Sequence, residues 1–575
     1  MNSGTLRIEK SKDNYDLAKI NINEKWVYIG SKYNMKNEID KFITQIKKDD
    51  LLIIFGFGAG EHIKTLRKKF IDLDIIIFEP NKDIKKYAED LEWIKKDKRI
   101  WIEYYTKDSI NEKLNFMDEF NITRLKILPF SNYAKLYNKE FLEFMEMIKF
   151  KLYDCISDRN TKFGFKEIWF NTTIKNIVYM AKSVIIDEYE NVYKDKPAII
   201  VSAGPSLDKN IDKLKGIENN FFIITGGRPL KGLIDKKINP GLLVALDPQE
   251  VNYNLVKGYI ENTNIPLLFF NSTNEKIVEN HNGYKIFSVV TEEINDFLNR
   301  EYKTLQVYGS VAHSMVSAAI LLGCNPIIFV GQDFAYTNES AHSEYLDTKH
   351  NSAKFDEVKS DLDIWVESVD NRKVRTSVIL NSYRLGMEKI IAGNPKIKFI
   401  NATEGGARII GTEEMKLSEV IKKYGNKKIE PFKEKKPDRI ICKKITDGID
   451  KMYDNLMKVE KKCKKGIEYT YELENLLKYN KTSKINELLD ELDKIDCFIK
   501  EKMSSFLIIQ SLLYSVVYEI LTNKNMEQEK NKEEKLYEIV RQSRKLYESI
   551  KDVIEEKSDD FLNAKKELKN IEEVQ

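Results

Sequence analysis

The chain has 575 residues, 42% hydrophobic and 32% charged, and 94 basic against 91 acidic side chains leave a net charge of +3. That length allows about three or four domains, and so even a balance gives no electrostatic case for a nucleic-acid or membrane-surface partner. Cys155, Cys324, Cys442, Cys463 and Cys497 form no Cys-x-x-Cys and have no histidine at ligand spacing, so neither a structural zinc nor another metal is expected and the thiols read as reduced. The opening MNSGTLRIEKSKDNY has no apolar signal core, so a cytoplasmic location is expected.

Residues 1–163 alternate apolar runs with charged helical stretches. LLIIFGF (51–57), DIIIFEP (74–80), RIWIEYY (99–105) and RLKILPF (124–130) read as parallel strands with crossover helices. The first run opens FGFGAGEH (55–62), and Glu79 ends the second. Glycines after one strand and an acid after the next could bind a nucleoside, the acid accepting ribose hydroxyls; a lone motif of this kind is weak, and a Rossmann-like domain with a purely structural glycine turn is the reading put first.

A helical stretch near 164–186 leads into residues 164–426, where the alternation is stronger. PAIIVSAG, NFFIITGG, GLLVALDP, PLLFFNST, NPIIFVGQD and KIKFINAT each end in small or polar residues, as strands of a doubly wound sheet do on their ligand side. In AIIVSAGPSLDKNIDKLKG (198–216) a strand stops at Ala203-Gly204-Pro205-Ser206 and a helix is expected from Ser206 or Leu207. Gly204 permits the turn and Pro205 suits a first helical turn. The helix start would present free N–H groups to an anion. No Gly-Lys-Ser/Thr follows, so this is not a nucleotide-triphosphate loop of the Walker type.

The next strand ends in Thr225-Gly226-Gly227-Arg228, the third in Asp247-Pro248 and the fourth in Phe270-Asn271-Ser272. Polar groups at four consecutive strand ends converge on one crevice if the sheet is parallel. Gly309-Ser310 then opens the small-residue helix SVAHSMVSAAILLG, a second start for a carboxylate or phosphate, and NPIIFVGQDFAY gives a buried strand ending at Gln332-Asp333 with Tyr336 beyond. Past KKIEPFKEKKPDR (427–439), which reads as a linker, residues 427–575 carry amphipathic Lys/Glu-rich helices and are expected to form a helical bundle. Within them FLIIQSLLYSVVYEIL (506–521) is too short to span a bilayer and reads as a buried helix.

The order IIVSAGPSL, ITGGR, VALDP, FFNST, GSVAHSMVSAAILLG, IIFVGQDFAY resembles that of bacterial sialyltransferases that use CMP-activated sialic acid. With NATEGGARIIGT (401–412) added, it is more similar still to the motility-associated factor (Maf) flagellin glycosyltransferases. The resemblance covers about 190–420 well and implies three parts: a Rossmann-like N-terminal domain, a central sialyltransferase-like doubly wound α/β domain and a C-terminal α-helical bundle. It also implies transfer of a nonulosonic acid of legionaminic, pseudaminic or sialic type from a CMP donor to Ser or Thr of flagellin, with no metal cofactor and flagellin as partner. Gly204, Pro205, Ser206, Gly227, Asp247 and Asn271 would line the nucleotide. Gly309 and Ser310 would meet the sugar carboxylate, Tyr336 would donate to the departing phosphate, and Glu404 would help close the site.

The general base does not carry over. Where the sialyltransferases have a histidine, this chain reads VDNRKVRTS (369–377), leaving His342, His350 and Asp333 as alternatives. His313 lies within an apolar helix pattern and reads as packed. Arg372, Lys373 and Arg375 are either an anion clamp or an exposed turn. Two other functions remain open on sequence: a pterin-type diphosphokinase using ATP, with Asp208, Asp247 and Asp333 holding a metal, and a non-catalytic flagellin-binding chaperone.

Overall fold

The computed structural model describes residues 5–22, 24–289, 298, 302–303, 305–337, 364–479, 484–503, 507–523 and 532–574. Its contacts divide the chain into two compact units, Met1–Gly164 with Ser515–Glu534, and Phe165–Tyr514 with Lys535–Gln575.

The first unit holds two sheets. β1 (Leu6–Lys10), β2 (Asp16–Ile22) and β3 (Lys25–Ile29) form an antiparallel meander that the sequence reading did not anticipate. Its strands are short and charged, and only one face is apolar, where Leu6 pairs with Ile20 and Ile8 with Ala18. β4 (Leu51–Phe55), β5 (Ile75–Glu79), β6 (Ile100–Tyr104) and β7 (Leu125–Pro129) are the four expected strands. They pair in parallel in the order β6-β5-β4-β7. From Leu52 to Phe55 and Ile75 to Phe78 every side chain is buried, the pattern of parallel strands covered on both faces.

The second unit is built on nine parallel strands among the described residues. They are β8 (Val184–Ile185), β9 (Ala198–Val201), β10 (Phe222–Gly226), β11 (Leu242–Val244), β12 (Leu267–Phe269), β13 (Lys285–Phe287), β14 (Ile327–Val330), β17 (Phe399–Asn401) and β18 (Glu413–Glu414). Their order is β18-β17-β14-β9-β10-β11-β12-β13-β8. The chain winds outward from β9 through β13 and then returns to the other side of β9 for β14, so the winding reverses at β9. An antiparallel hairpin, β15 (Ile364–Glu367) and β16 (Lys373–Thr376), stands apart from this sheet.

Alternate side chains of the central strands feed separate cores. Ala198, Ile200, Phe222 and Ile224 pack with Met315, Val316 and Ala319 of the helix Val311–Leu321. Ile199, Val201, Ile223 and Ile328 pack on the other side with Leu207, Ile211 and Leu214. The helix Asn138–Ala181 precedes the sheet and is longer than the stretch expected near 164–186.

The segment read as a linker is held to the sheet rather than free. Tyr189, Tyr193 and Tyr284 donate their hydroxyls to the carbonyls of Lys433, Glu430 and Lys435 at 3.0, 3.3 and 2.9 Å. Phe432 lies against Tyr189, Tyr193 and Phe222, its ring centroid 4.3 Å from that of Tyr189. Composition marked the charges of this strap but not the tyrosines 151 to 244 positions upstream that bind it. Phe432→Ala should therefore raise tryptic cleavage at Lys433–Lys436 several-fold in the native protein. Equal cleavage of both proteins would show that the ring does not anchor the strap.

Beyond the strap run the helices Arg439–Lys478, Ile485–Met503, Leu507–Asn523 and Lys532–Val574. In the first, Ile441, Ile445, Ile449, Met452, Leu456, Val459 and Cys463 are buried at spacings of three and four, one apolar stripe per helix face. Gly466 leaves room for the ring of Tyr547, whose hydroxyl donates to Asp496 at 2.6 Å. Among the described residues, no helix is long and apolar enough to cross a membrane.

Candidate active site at the carboxyl edge of the central sheet

Three of the glycine-containing motifs meet behind the ends of β9, β14 and β17. Asp333 is their hub. The Ser206 hydroxyl donates to Asp333 Oδ1 at 2.5 Å, the Ser206 backbone N–H to Oδ2 at 3.2 Å, and the Thr337 hydroxyl to Oδ2 at 2.5 Å. Asp333 is 2% exposed and Ser206 fully buried, and burial raises the Asp333 carboxyl above its ordinary range despite these donors. Gly204, Gly405 and Gly406 are the close neighbours. A Cβ on Gly204 would lie 2.5 Å from the Gly331 carbonyl and closer still to the Asp333 carboxylate.

This overturns one sequence expectation. The segment after Gly204 is a 3₁₀ turn of five residues, Pro205–Lys209, not an α-helix. Its first free N–H is already bound by the chain's own carboxylate, so it offers no electropositive helix start to a ligand. Pro205 is buried beside Ser206. Glu404 likewise turns away: its carboxylate accepts from Leu417 N–H at 3.2 Å and pairs with Lys213 at 3.3 Å.

The second helix start has the expected form. Val311–Leu321 is capped by Ser310, whose hydroxyl accepts from Ala312 N–H at 3.3 Å. Val311 rests on the end of β10, where a Cβ on Gly226 would meet it at 3.3 Å. Ser206 and Ser310 thus both stand at the carboxyl edge, but over opposite faces of the sheet, since Leu207 belongs to one core and Ala312 to the other.

On the Ser310 side the ends of β10, β11 and β12 lie in a row beside the helix start. Asp247, just past β11, is exposed, yet protein surrounds it densely enough to raise its carboxyl by desolvation. That combination describes a side chain lining a concavity. Gly227 is partly exposed just past the end of the neighbouring β10, where a Cβ would meet Val256 at 3.0 Å. His313 is buried, and its ring nitrogens face the carbonyls of Val307 at 3.1 Å and Tyr383 at 2.9 Å. Burial lowers its basicity, so His313 is packed, as its apolar helix suggested.

Asn271, past β12, is 6% exposed. Its amide donates to Thr173 at 3.4 Å, and its Oδ1 has no partner among the described residues. Asn176 of the long helix fixes this loop by donating to the carbonyls of Phe270, Asn271 and Thr273.

Of the remaining predicted residues, Tyr336 is 7% exposed, and the Arg375 guanidinium lies 4.6 Å from its ring centroid. Arg372 is an exposed partner of Asp370 at the hairpin tip, away from Tyr336. His342 and His350 lie outside the described residues. Sequence reading missed Tyr383, on the helix Val378–Gly393, because only the tertiary fold carries it to Gly309. No group of three or more His, Cys, Asp or Glu side chains among the described residues is placed to hold a metal.

The N-terminal glycine motif is filled from within. Glu79, fully buried, accepts from Phe57 N–H at 2.7 Å, Asn81 N–H at 2.8 Å and the Tyr133 hydroxyl at 2.6 Å. Tyr133 also accepts from Gly58 N–H at 2.8 Å, and its ring occupies the space a Cβ on Gly56 would need. A side chain stands where a nucleoside would approach, so the structural reading of this motif is the one realised.

Residues 171–339 match the family model described as 6-hydroxymethylpterin diphosphokinase MptE-like. A protein of Treponema pallidum (strain Nichols), described as uncharacterized, is 24% identical over 97 residues, which are 17% of this chain. The match spans 45% of that relative, less than half its length. The solved structure of a Maf glycosyltransferase from Magnetospirillum magneticum AMB-1 aligns with a TM-score of 0.56 at 12% identity, covering 99% of this chain and 95% of that one. Over almost its whole length, the chain therefore has the fold of a Maf glycosyltransferase.

Proposed function

We propose that the protein is a glycosyltransferase that moves a nonulosonic acid from a CMP-activated donor to Ser or Thr side chains of flagellin, in the cytoplasm. The observation carrying this reading is the crevice at the ends of β10–β12, where Asp247, Asn271 and the capped helix start at Gly309–Ser310 stand together at one sheet edge. The donor holds a carboxylate, a phosphate and a nucleoside. The positive end of the helix Val311–Leu321 suits one anion, Asp247 suits ribose or sugar hydroxyls, and the unpartnered Asn271 Oδ1 suits a donor group of the base.

In the transfer, an acceptor hydroxyl oxygen bonds to the anomeric carbon as the bond to phosphate breaks. CMP departs with the bonding pair, and the acceptor proton passes to a base, for which His342 is our candidate. Asp333, with three donors already on it, and Tyr336, stacked under Arg375, serve by fixing the loops that follow β14. Gly204, Pro205, Ser206 and Glu404 back the crevice from the other side of the sheet.

Ser310→Ala and Asp247→Ala should each reduce flagellin modification at least about 100-fold, read as intact mass of flagellin co-expressed with a donor pathway. Full modification in either variant removes the crevice from the mechanism. The diphosphokinase family match over 171–339 supports a second reading, ATP-dependent diphosphate transfer. Calorimetry separates the two: magnesium-dependent binding of ATP with no binding of CMP would favour the second.

A further inference from the structure

The residue that closes the crevice over Ser310 comes from a helix that no motif marked. We propose that Tyr383 touches the substrate, its phenol donating a hydrogen bond to an anionic oxygen, phosphate or carboxylate, held at the start of the helix Val311–Leu321. This rests on the glycosyltransferase reading above.

The placement is built from several sides. A Cβ on Gly309 would come within 2.9 Å of Tyr383 Cε1, and Gly309 has a φ of 79°, so both its backbone and its neighbour require glycine. The phenol ring is therefore in van der Waals contact with the backbone that leads into Ser310. From behind, His313 holds the Tyr383 carbonyl at 2.9 Å and stands edge-on to its ring, the centroids 6.2 Å apart. Gly386, one helical turn on, gives His313 and Tyr308 room to reach the helix. The ring is half-buried, and its hydroxyl makes no hydrogen bond among the described residues.

Burial raises the pKa of the phenol, and the nearby charge of Asp247 raises it further. Across the neutral range Tyr383 thus remains a hydrogen-bond donor and is unsuited to act as a base. A donor phenol, a capped helix start and an acceptor carboxylate line one opening, and together they match an anionic sugar with free hydroxyls. Tyr336, by contrast, is closed off under Arg375.

Tyr383→Phe keeps the ring on Gly309 and removes only the hydroxyl. Steady-state transfer to flagellin should lose about 100-fold in kcat, with an unchanged melting temperature. Calorimetry with two probes assigns the oxygen. Weaker binding of CMP alone points to phosphate, and weaker binding of free N-acetylneuraminic acid alone points to carboxylate. Tyr383→Phe with native kcat and both affinities unchanged, in a protein that does bind CMP, overturns this role and leaves the glycosyltransferase reading standing. A native protein that binds neither probe and transfers nothing overturns both.

Discussion

Asp333→Ala should destabilise the central sheet unit by about 3–5 kcal/mol and abolish activity with it. The substitution strands three donors, the Ser206 N–H, the Ser206 hydroxyl and the Thr337 hydroxyl, in a place that water does not reach. Each unsatisfied buried donor costs about 1–3 kcal/mol, and the losses are not additive because all three share one acceptor. The small side chain also leaves a void between the ends of β9, β14 and β17. Asp333→Asn retains the shape but turns one acceptor into a donor, so it should fall between the two. Gly204→Ala tests the same hub from outside, since its methyl must displace either the carboxylate or the Gly331 carbonyl. Urea unfolding read by tryptophan fluorescence gives the comparison. A native midpoint for Asp333→Ala would mean that the hub stabilises nothing.

That hub shows what a linear sequence does and does not carry. Each apolar run ending in small residues was recognisable as a buried parallel strand, and it followed that their ends share one edge of the sheet; that the ends converge on one crevice did not follow, since Ser206 and Ser310 lie over opposite faces. The partner of each polar group was not recognisable. GPS, GQD and EGG looked like three ligand loops, yet two of them bind each other, because a carboxylate 127 positions away fills the first turn. The same physics acts at FGFGAG, which left a structural turn and a nucleoside site both open, and where Tyr133 takes the place of a ligand. A glycine demanded by a protein side chain and one demanded by a ligand leave the same letter. The Ser310 cap was legible because capping is local, fixed within two residues. Tyr383 was illegible because its contact with Gly309 spans a fold. The meander β1–β3 escaped notice because edge-rich, charged strands lack the continuous apolar run that marked the others.

Glu79 makes the stability of the N-terminal unit depend on pH in a way that can be isolated. Burial raises its carboxyl from an ordinary 4.5 to about 7, only partly offset by the Tyr133 hydroxyl and backbone donors. The folded state therefore holds the proton more tightly than the unfolded chain. The resulting stability is complete below about 4.5 and is lost as pH rises to about 7, a change of about 3 kcal/mol at about 1.4 kcal/mol per pH unit. His62, fully buried and stacked on Phe130 at 3.5 Å, works the other way. Burial lowers it from 6.5 to about 3, so its contribution is lost as pH falls through that window. Between pH 4.5 and 6.5 the two slopes cancel, and the native protein should show near-constant stability there, falling above it toward pH 7 and below it toward pH 3. Glu79→Gln cannot ionise and removes one of the two. It should gain stability with rising pH over the same window, by about 3 kcal/mol from end to end. Glu79→Ala should instead be weaker at every pH, because Phe57 N–H, Asn81 N–H and the Tyr133 hydroxyl lose their acceptor. Parallel pH profiles for the native protein and Glu79→Gln would show that the buried carboxyl is ionised throughout and that its donors outweigh its burial.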